Sequence, residues 1–484
     1  MRPAELKAMP GGRRVVFVTL GSWGDVLPYV AIALGLRERG HQVILATSAC
    51  HRAKVEALGV GFRAVRPDTD WVADPALMRR RSHPGLGLIR VAREWLLPAL
   101  PETYEDTTAA AEGADVLVSH PLAAYAVRLV AEKTRVPWIS TMLVPVGFFS
   151  AYDETALPLP AALSAPLRWL GPRGRSSMLG FGKRATRFLA KPWYRLRAGL
   201  NLPPATDGNP LSDSHSPDLN LALFSKVLAD KQPDWPPQTV ITGFPVSPRS
   251  GGTGLPPELA RFLDDGPPPI VFTLGTAIGS DAGRFYETSL AGAQALGYRA
   301  VFVGSGVPAR LAANSETITL DYAPYAQLFP RAAVVVHHGG IGTTGLAMQS
   351  GRPMLVMPRA WDQPDNAARV ARLGIARVLP RHRYTASRVA AELRRLLDGA
   401  YRQRASAVRE QLIEEDGVRA ACDAIEARLV LSAPRDGRGA TPVAEQLAPV
   451  NSPRPFRFRW PWGLRRSLAS SRLGSPAAVA ERER

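Results

Sequence analysis

Cysteine is nearly absent from this chain. Cys50 and Cys422 are the two in 484 residues, which gives neither a disulfide framework nor a metal-ligand pattern and makes a reducing compartment the expectation. Long apolar runs are also missing. The first run, residues 15–20, is shorter than a signal-peptide core and ends in a glycine turn without a small-residue cleavage site. No stretch approaches the roughly 18 apolar residues that a spanning helix needs, so a cytoplasmic protein is expected. Acidic charge is in deficit, with 42 Asp and Glu against 60 Lys and Arg and a formal net charge of +18. Such an imbalance bears on partners rather than fold: nucleic acid, an anionic membrane face or an anionic substrate. No recognisable nucleic-acid module accompanies it, so nucleic acid is not expected. Metal ligands do not cluster either, since Asp264 and Asp265 precede a Gly-Pro run and read as loop, and neither a metal nor a bound cofactor is expected.

What the chain does have is a repeated strand, glycine turn and helix. Residues 15–20 form a β-branched strand, Gly21-Ser22-Trp23-Gly24-Asp25 the turn, and residues 29–39 a helix stopped by Gly40. Further strands are expected at 41–47, 115–119 and 138–142, with a helix at 123–133. A Pro- and Gly-rich stretch from 245 to 269 then reads as a linker. Beyond it the alternation restarts, with strands at 270–274, 300–304, 317–321, 334–337 and 353–357, and helices from about 386 to 430. Strands alternating with helices imply parallel sheets covered on both faces. The expected organisation is a first α/β domain over 1–245, a linker over 246–269, a second α/β domain over 270–431 and a disordered basic tail over 432–484. That tail carries ten arginines against four acidic residues. Two such domains place a ligand in the cleft between them, at the carboxyl ends of the strands.

The most informative segment is His337-His338-Gly339-Gly340-Ile341-Gly342-Thr343-Thr344-Gly345. A strand ends, glycines admit a ligand to the backbone, and a helix amino-terminus presents free N–H groups with a positive dipole, which suits a diphosphate. Gly340-x-Gly342-x-x-Gly345 also matches the dinucleotide fingerprint, with Asp362 near the place of a ribose-binding acid, and on residues alone an NAD-dependent oxidoreductase stays open.

The same segment, with Gly351-x-Pro353, Pro358, Asp362-Gln363 and residues 367–374, closely resembles the donor-binding signature of UDP-dependent glycosyltransferases. Gly21-Ser22-x-Gly24-Asp25-Val26-x-Pro28 and Gly40-His41-x-Val43 resemble the first domain of the branch that contains sterol glucosyltransferases and macrolide and glycopeptide antibiotic glycosyltransferases. The resemblance runs over about 13–430. It implies the GT-B fold: two Rossmann-like, doubly wound α/β domains facing across a cleft. It also implies transfer of a hexosyl group, with inversion, from a UDP- or dTDP-sugar co-substrate to a hydroxyl of an apolar small-molecule or lipid acceptor. A non-catalytic nucleotide-sugar or lipid-binding protein of this fold is the second alternative.

Carried onto this chain, the resemblance gives His338 to the diphosphate and Gly340, Gly342, Thr343 and Thr344 to its phosphates. Asp362 and Gln363 go to the sugar hydroxyls, Tyr322 to the nucleobase, and Thr276 to the far side of the diphosphate. Asp25 becomes the general base, with amino-terminal capping of the following helix as its plainer role. His120, after the strand at 115–119, stands where a partner to Asp25 is expected. The acceptor is expected along residues 145–215, which hold Phe148, Phe149, Trp169, Phe181, Phe188, Trp193 and Tyr194. Between Arg168 and Arg197 there are nine basic residues and no acidic one, and residues 183–196 read as a basic helix with an apolar face, suited to peripheral contact with an anionic membrane.

Overall fold

The computed structural model describes residues 12–68, 75–83, 86–153, 170–205, 208–246, 254–275, 282–304, 306–308, 311 and 316–432. Met1–Ala433 form one compact unit. The segment expected to be a basic tail lies, from 433 onward, outside the described residues, as do Thr276, Arg168 and Trp169.

Two parallel sheets organise this unit. The first contains β1 (Arg14–Val18), β2 (Gln42–Thr47), β3 (Gly61–Ala64), β4 (Val116–Ser119), β5 (Trp138–Met142), β6 (Leu219–Ala222) and β7 (Thr239–Ile241), in the order β3-β2-β1-β4-β5-β6-β7. The second contains β8 (Ile270–Thr273), β9 (Ala300–Val303), β10 (Thr317–Leu320), β11 (Val334–His337), β12 (Met354–Val356) and β13 (Ala376–Val378), in the order β10-β9-β8-β11-β12-β13. The central strands are runs of Val, Ile, Leu and Phe rather than alternating sequences, because helices cover both faces. Val15, Val16, Phe17 and Val18 are fully buried on β1, as are Val334, Val335 and Val336 on β11.

Strand order reverses once in each sheet. It does so between β1 and β4, where Val18 pairs with Ala46 on one side and Ser119 on the other, and between β8 and β11, where Thr273 pairs with His337. At such switch points the crossover helices leave in opposite directions and a crevice opens beyond the carboxyl ends of the strands. The Gly21–Asp25 stretch and His120 follow β1 and β4, while Gly275 and His338 follow β8 and β11. The Gly21–Asp25 and His337–Gly345 motifs therefore sit at the two crevices, whereas Gly40-His41 and Gly351-x-Pro353 lie at the amino ends of β2 and β12.

Three local expectations change. The first helix begins at Trp23, not near 29, and runs to Glu38 with Pro28 inside it. Ser22 is its N-cap and Asp25 its third residue, so Gly21 alone makes the turn, at φ 127°. Proline in the second turn forfeits one amide bond, a loss this buried helix absorbs. The stretch read as linker contains the helix Pro257–Asp264, whose Leu259 and Leu263 are buried in the core shared with β8 and β11. The final helix, Gly417–Ser432, grouped by sequence with the second domain, packs instead on the first. Ala421, Cys422, Ile425 and Leu429 join the core beneath Trp23–Glu38, and Glu426 bonds Arg39 and His41 at 2.7 and 2.9 Å.

Candidate active site

The first crevice is built around Asp25. Ser22 donates its backbone N–H and its hydroxyl to Asp25 Oδ2, both at 2.8 Å, which completes a capping box at the helix amino-terminus. A side chain at position 21 would strike that carboxylate, since a Cβ there would lie 2.5 Å from Oδ2. One oxygen of Asp25 is thus fixed by the helix end, and the other, Oδ1, faces His120 Nε2 at 3.9 Å.

His120 is buried, and Nδ1 accepts the backbone N–H of Leu122 at 3.0 Å, so the ring proton of the neutral imidazole belongs on Nε2, toward Asp25. Burial holds its pKa down at about 4 against the pull of Asp25, which keeps the ring neutral at physiological pH. Tyr29 packs edge-on against it and is anchored to Thr141 by a 2.5 Å hydrogen bond. One Asp25 oxygen caps the helix, and the other is presented beside an N–H donor.

The second crevice is built from backbone. The helix Ile341–Ser350 begins directly after Gly340, and its first intrahelical bond runs from Thr344 N to Gly340 O at 2.9 Å. The amides of Ile341, Gly342 and Thr343 precede that bond and point out of the helix end. This first turn holds no acidic residue. Its glycines have different causes. A Cβ at Gly340 would meet His338 Nε2 at 2.5 Å, and one at Gly345 would meet the Phe244 ring at 2.9 Å, so packing demands both. A Cβ at Gly342 would meet nothing within 4 Å, and that residue is exposed. Nothing in the protein requires glycine at 342, whereas a ligand lying on the helix end would.

His338 is buried behind this turn, and its pKa falls to about 3 through burial and the charge of Arg359. Its Nδ1 has no hydrogen-bond partner among the described residues. His337 is spent on structure, accepting Gly339 N at Nδ1. Thr344 departs from expectation: its hydroxyl is fully buried and donates back to Gly340 O at 2.9 Å, so it is turned into its own helix.

Asp362 stands at the N-cap position of the helix Gln363–Arg372. Its Oδ2 accepts Asn366 Nδ2 at 2.7 Å, and the same amide group donates to Gly339 O at 2.9 Å, tying the acid to the glycine turn. Burial pushes the Asp362 carboxyl up to about 7, and the charge of Asp25, from the other domain, adds to the rise. Gln363 is buried; its Oε1 accepts the N–H groups of Arg359 and Ala360 at 2.9 and 3.1 Å, which leaves the amide nitrogen for a ligand. Trp361 holds φ 52°, a left-handed conformation unusual for a bulky residue, and its indole N–H donates to Arg81 O of the first domain at 3.2 Å. Tyr322, after β10, is 59% exposed, which excludes a core role.

Sequence reasoning passed over Ser22, Trp361 and Asn366. The Ser-x-x-Asp spacing ahead of an apolar run signals the first, and Asn four residues after Asp362 on a helix signals the last. The aromatic stretch also divides. Phe148 is buried in a stack with Trp235 at 4.0 Å, and Trp193 is fully buried with its indole bonded to Tyr125 O at 2.7 Å, so neither lines an acceptor pocket. Among the described residues no helix is long and apolar enough to cross a membrane.

Residues 15–146 match the glycosyltransferase family 28 N-terminal domain, and residues 309–419 match the erythromycin biosynthesis protein CIII-like C-terminal domain. O-mycaminosyltylonolide 6-deoxyallosyltransferase of Streptomyces fradiae is 32% identical over 432 residues, covering 85% of this chain and 97% of that protein. A sterol 3-beta-glucosyltransferase of Arabidopsis thaliana is 27% identical over 430 residues, covering 85% of this chain and 65% of that protein. A spinosyn rhamnosyltransferase solved with thymidine diphosphate shares the fold, with a TM-score of 0.61 at 18% identity over 85% of this chain and 99% of that one.

Proposed function

The chain belongs to the GT-B glycosyltransferases, in the branch of the macrolide and glycopeptide antibiotic and sterol enzymes, and on that premise we propose that it moves a hexosyl group, with inversion, from a UDP- or dTDP-sugar to a hydroxyl of an apolar acceptor. The observation that carries the reading is the open amino-terminus of the helix Ile341–Ser350, which has no acid in its first turn and a glycine at 342 that no contact within the protein requires.

In this reading the diphosphate lies on the amides of Ile341, Gly342 and Thr343, with His338 donating from behind and Tyr322 stacking on the base. Asp362 and the Gln363 amide hold the sugar hydroxyls. The acceptor hydroxyl gives its proton to Asp25 Oδ1 as its oxygen attacks the anomeric carbon, and the His120 Nε2–H steadies that oxygen of the carboxylate. The bond to the diphosphate breaks on the opposite side, where the helix dipole receives the developing charge. Attack from one domain and departure toward the other amount to a single displacement, which inverts the anomeric centre. Relatives named for deoxysugar transfer, and one solved with thymidine diphosphate, support including dTDP-sugars among the donors.

The test is calorimetry with UDP, dTDP and NAD, followed by donor hydrolysis across UDP- and dTDP-sugars. Binding of a nucleoside diphosphate with slow sugar release supports the reading. Preference for NAD, with neither diphosphate bound, would overturn it.

A further inference from the structure

The helix Pro172–Thr186, in the connection between β5 and β6, buries none of its residues. A short 3₁₀ segment, Arg187–Ala190, breaks it from the next helix, Lys191–Gly199, so the single basic helix expected over 183–196 is two helices meeting at a bend. The second is anchored through Trp193 and Arg197, both buried. The first has no such anchor. Phe181 is 73% exposed and Phe188 60% exposed, although neither ring gains anything from water.

The basic residues sort into two groups. Lys183 is paired with Asp213 at 2.5 Å, Arg197 with Glu132 at 2.6 Å, and Arg175 donates to Asp153 O at 3.3 Å. Arg173, Arg184, Arg187, Lys191 and Arg195 are exposed. Arg187 donates to the Tyr194 hydroxyl at 2.9 Å, a contact that leaves its charge in place. The sequence holds no Asp or Glu between Glu154 and Asp207 to offset them.

We propose that this helix pair docks on an anionic lipid surface, with Phe181 and Phe188 entering the headgroup boundary and the exposed arginines and lysine meeting lipid phosphates. The arrangement fits a bilayer better than a protein partner. A protein interface needs a contiguous apolar centre, whereas here two isolated rings stand among cations, as at a headgroup layer. Arg175 of the first helix donates to the carbonyl of Asp153, whose carboxylate pairs with Arg369 of the second domain, so the helix pair begins beside the junction of the two domains, where docking would bring a lipid-dissolved acceptor close to the cleft.

The full chain is to be sedimented with phosphatidylcholine vesicles, with and without phosphatidylserine, over a range of salt. The wild type should bind the anionic vesicles alone and release them as salt rises. Each basic side chain at such a surface is worth roughly a fivefold change in partitioning. The triple variant Arg184→Glu, Lys191→Glu, Arg195→Glu should therefore lose about a hundredfold or more. Phe181→Ser with Phe188→Ser should lose about tenfold. Nucleoside diphosphate binding checks that each variant is folded, and Arg184→Gln with Arg195→Gln replaces the triple variant if that check fails. Wild-type chain that ignores anionic vesicles, or variants that partition as the wild type does, would overturn the proposal. Partitioning is read without turnover, so the result is separate from the assignment of Asp25.

Discussion

The two switch-point crevices share a topology and differ in what occupies the helix end. In the first, the amino-terminus of Trp23–Glu38 is closed by the chain's own carboxylate, Asp25, held by Ser22. In the second, the amino-terminus of Ile341–Ser350 has no acid and a glycine at 342 that nothing in the protein demands. A helix end attracts negative charge in either case. One crevice supplies the anion itself, which suits the proposed base; the other leaves the position open, which suits the proposed diphosphate.

The sharpest way to break that contrast is Asp25→Asn, which keeps the shape and removes the base. Turnover should fall by about 10²–10⁴-fold with donor affinity nearly unchanged. Near-normal turnover would return Asp25 to capping alone. The converse change, Gly342→Asp, gives the second helix end a carboxylate like the first. The fold has room for the side chain, and an acid in the first turn favours the helix by about 0.3–1 kcal/mol. The melting temperature should hold or rise while calorimetric affinity for a nucleoside diphosphate drops by about a hundredfold. Unchanged affinity would mean that the diphosphate does not lie there.

Within the second crevice, His338→Ala should weaken UDP or dTDP and the corresponding sugar nucleotide together, by about tenfold, the worth of one hydrogen bond to a charged group. Asp362→Ala should spare the free diphosphate and damage transfer. Equal losses of diphosphate binding in both variants would contradict this division.

A pH slope tests the Asp362 carboxyl directly. Asp362 titrates near 7 in the folded chain against an ordinary 3.8, so folding retains a proton there that the unfolded chain releases. The stability this gives is complete below pH 3.8 and is lost as pH rises through 7. Replacing Asp362 with Asn should remove that loss. The difference in unfolding free energy between wild type and variant should change between pH 4 and 7 and flatten above 8, and a constant difference would refute the burial of this carboxyl.

Much of this was legible in the sequence where one physical signal dominates. β5 and β11 fall on the expected residues because continuous apolar runs bounded by polar or glycine residues admit few other readings. β6 was not foreseen because Asn220 interrupts it; its side chain is satisfied inside the fold by Ser140 and Ser216, partners from other segments. β7 and β13 are three-residue edge strands that hold Thr and Arg in place of a continuous apolar run, unlike the equally short β12. The site residues follow the same rule. Glycines and histidine at a strand end mark a crevice locally, but the approach of Asp25 to His120 depends on β1 and β4 lying side by side. Thr343-Thr344 reads as a pair of ligand donors because sequence cannot show that the Thr344 hydroxyl turns back into its own helix. In the basic stretch, counting charges overstated the free ones, since burial and pairing withdraw Lys183 and Arg197.

The return of helix Gly417–Ser432 to the first domain has a consequence for biogenesis. The outer wall of that domain's core includes Ala421, Cys422, Ile425 and Leu429, and Cys422 Sγ reaches Ile32 O at 3.6 Å, across nearly the whole length of the folded chain. A ribosome releases residues 12–242 long before it releases these. The first domain to be synthesised is therefore the last to be finished, and until then the apolar side of Trp23–Glu38 has no cover. Burial of the helix face that Ala421, Cys422, Ile425 and Leu429 cover therefore waits for the end of synthesis.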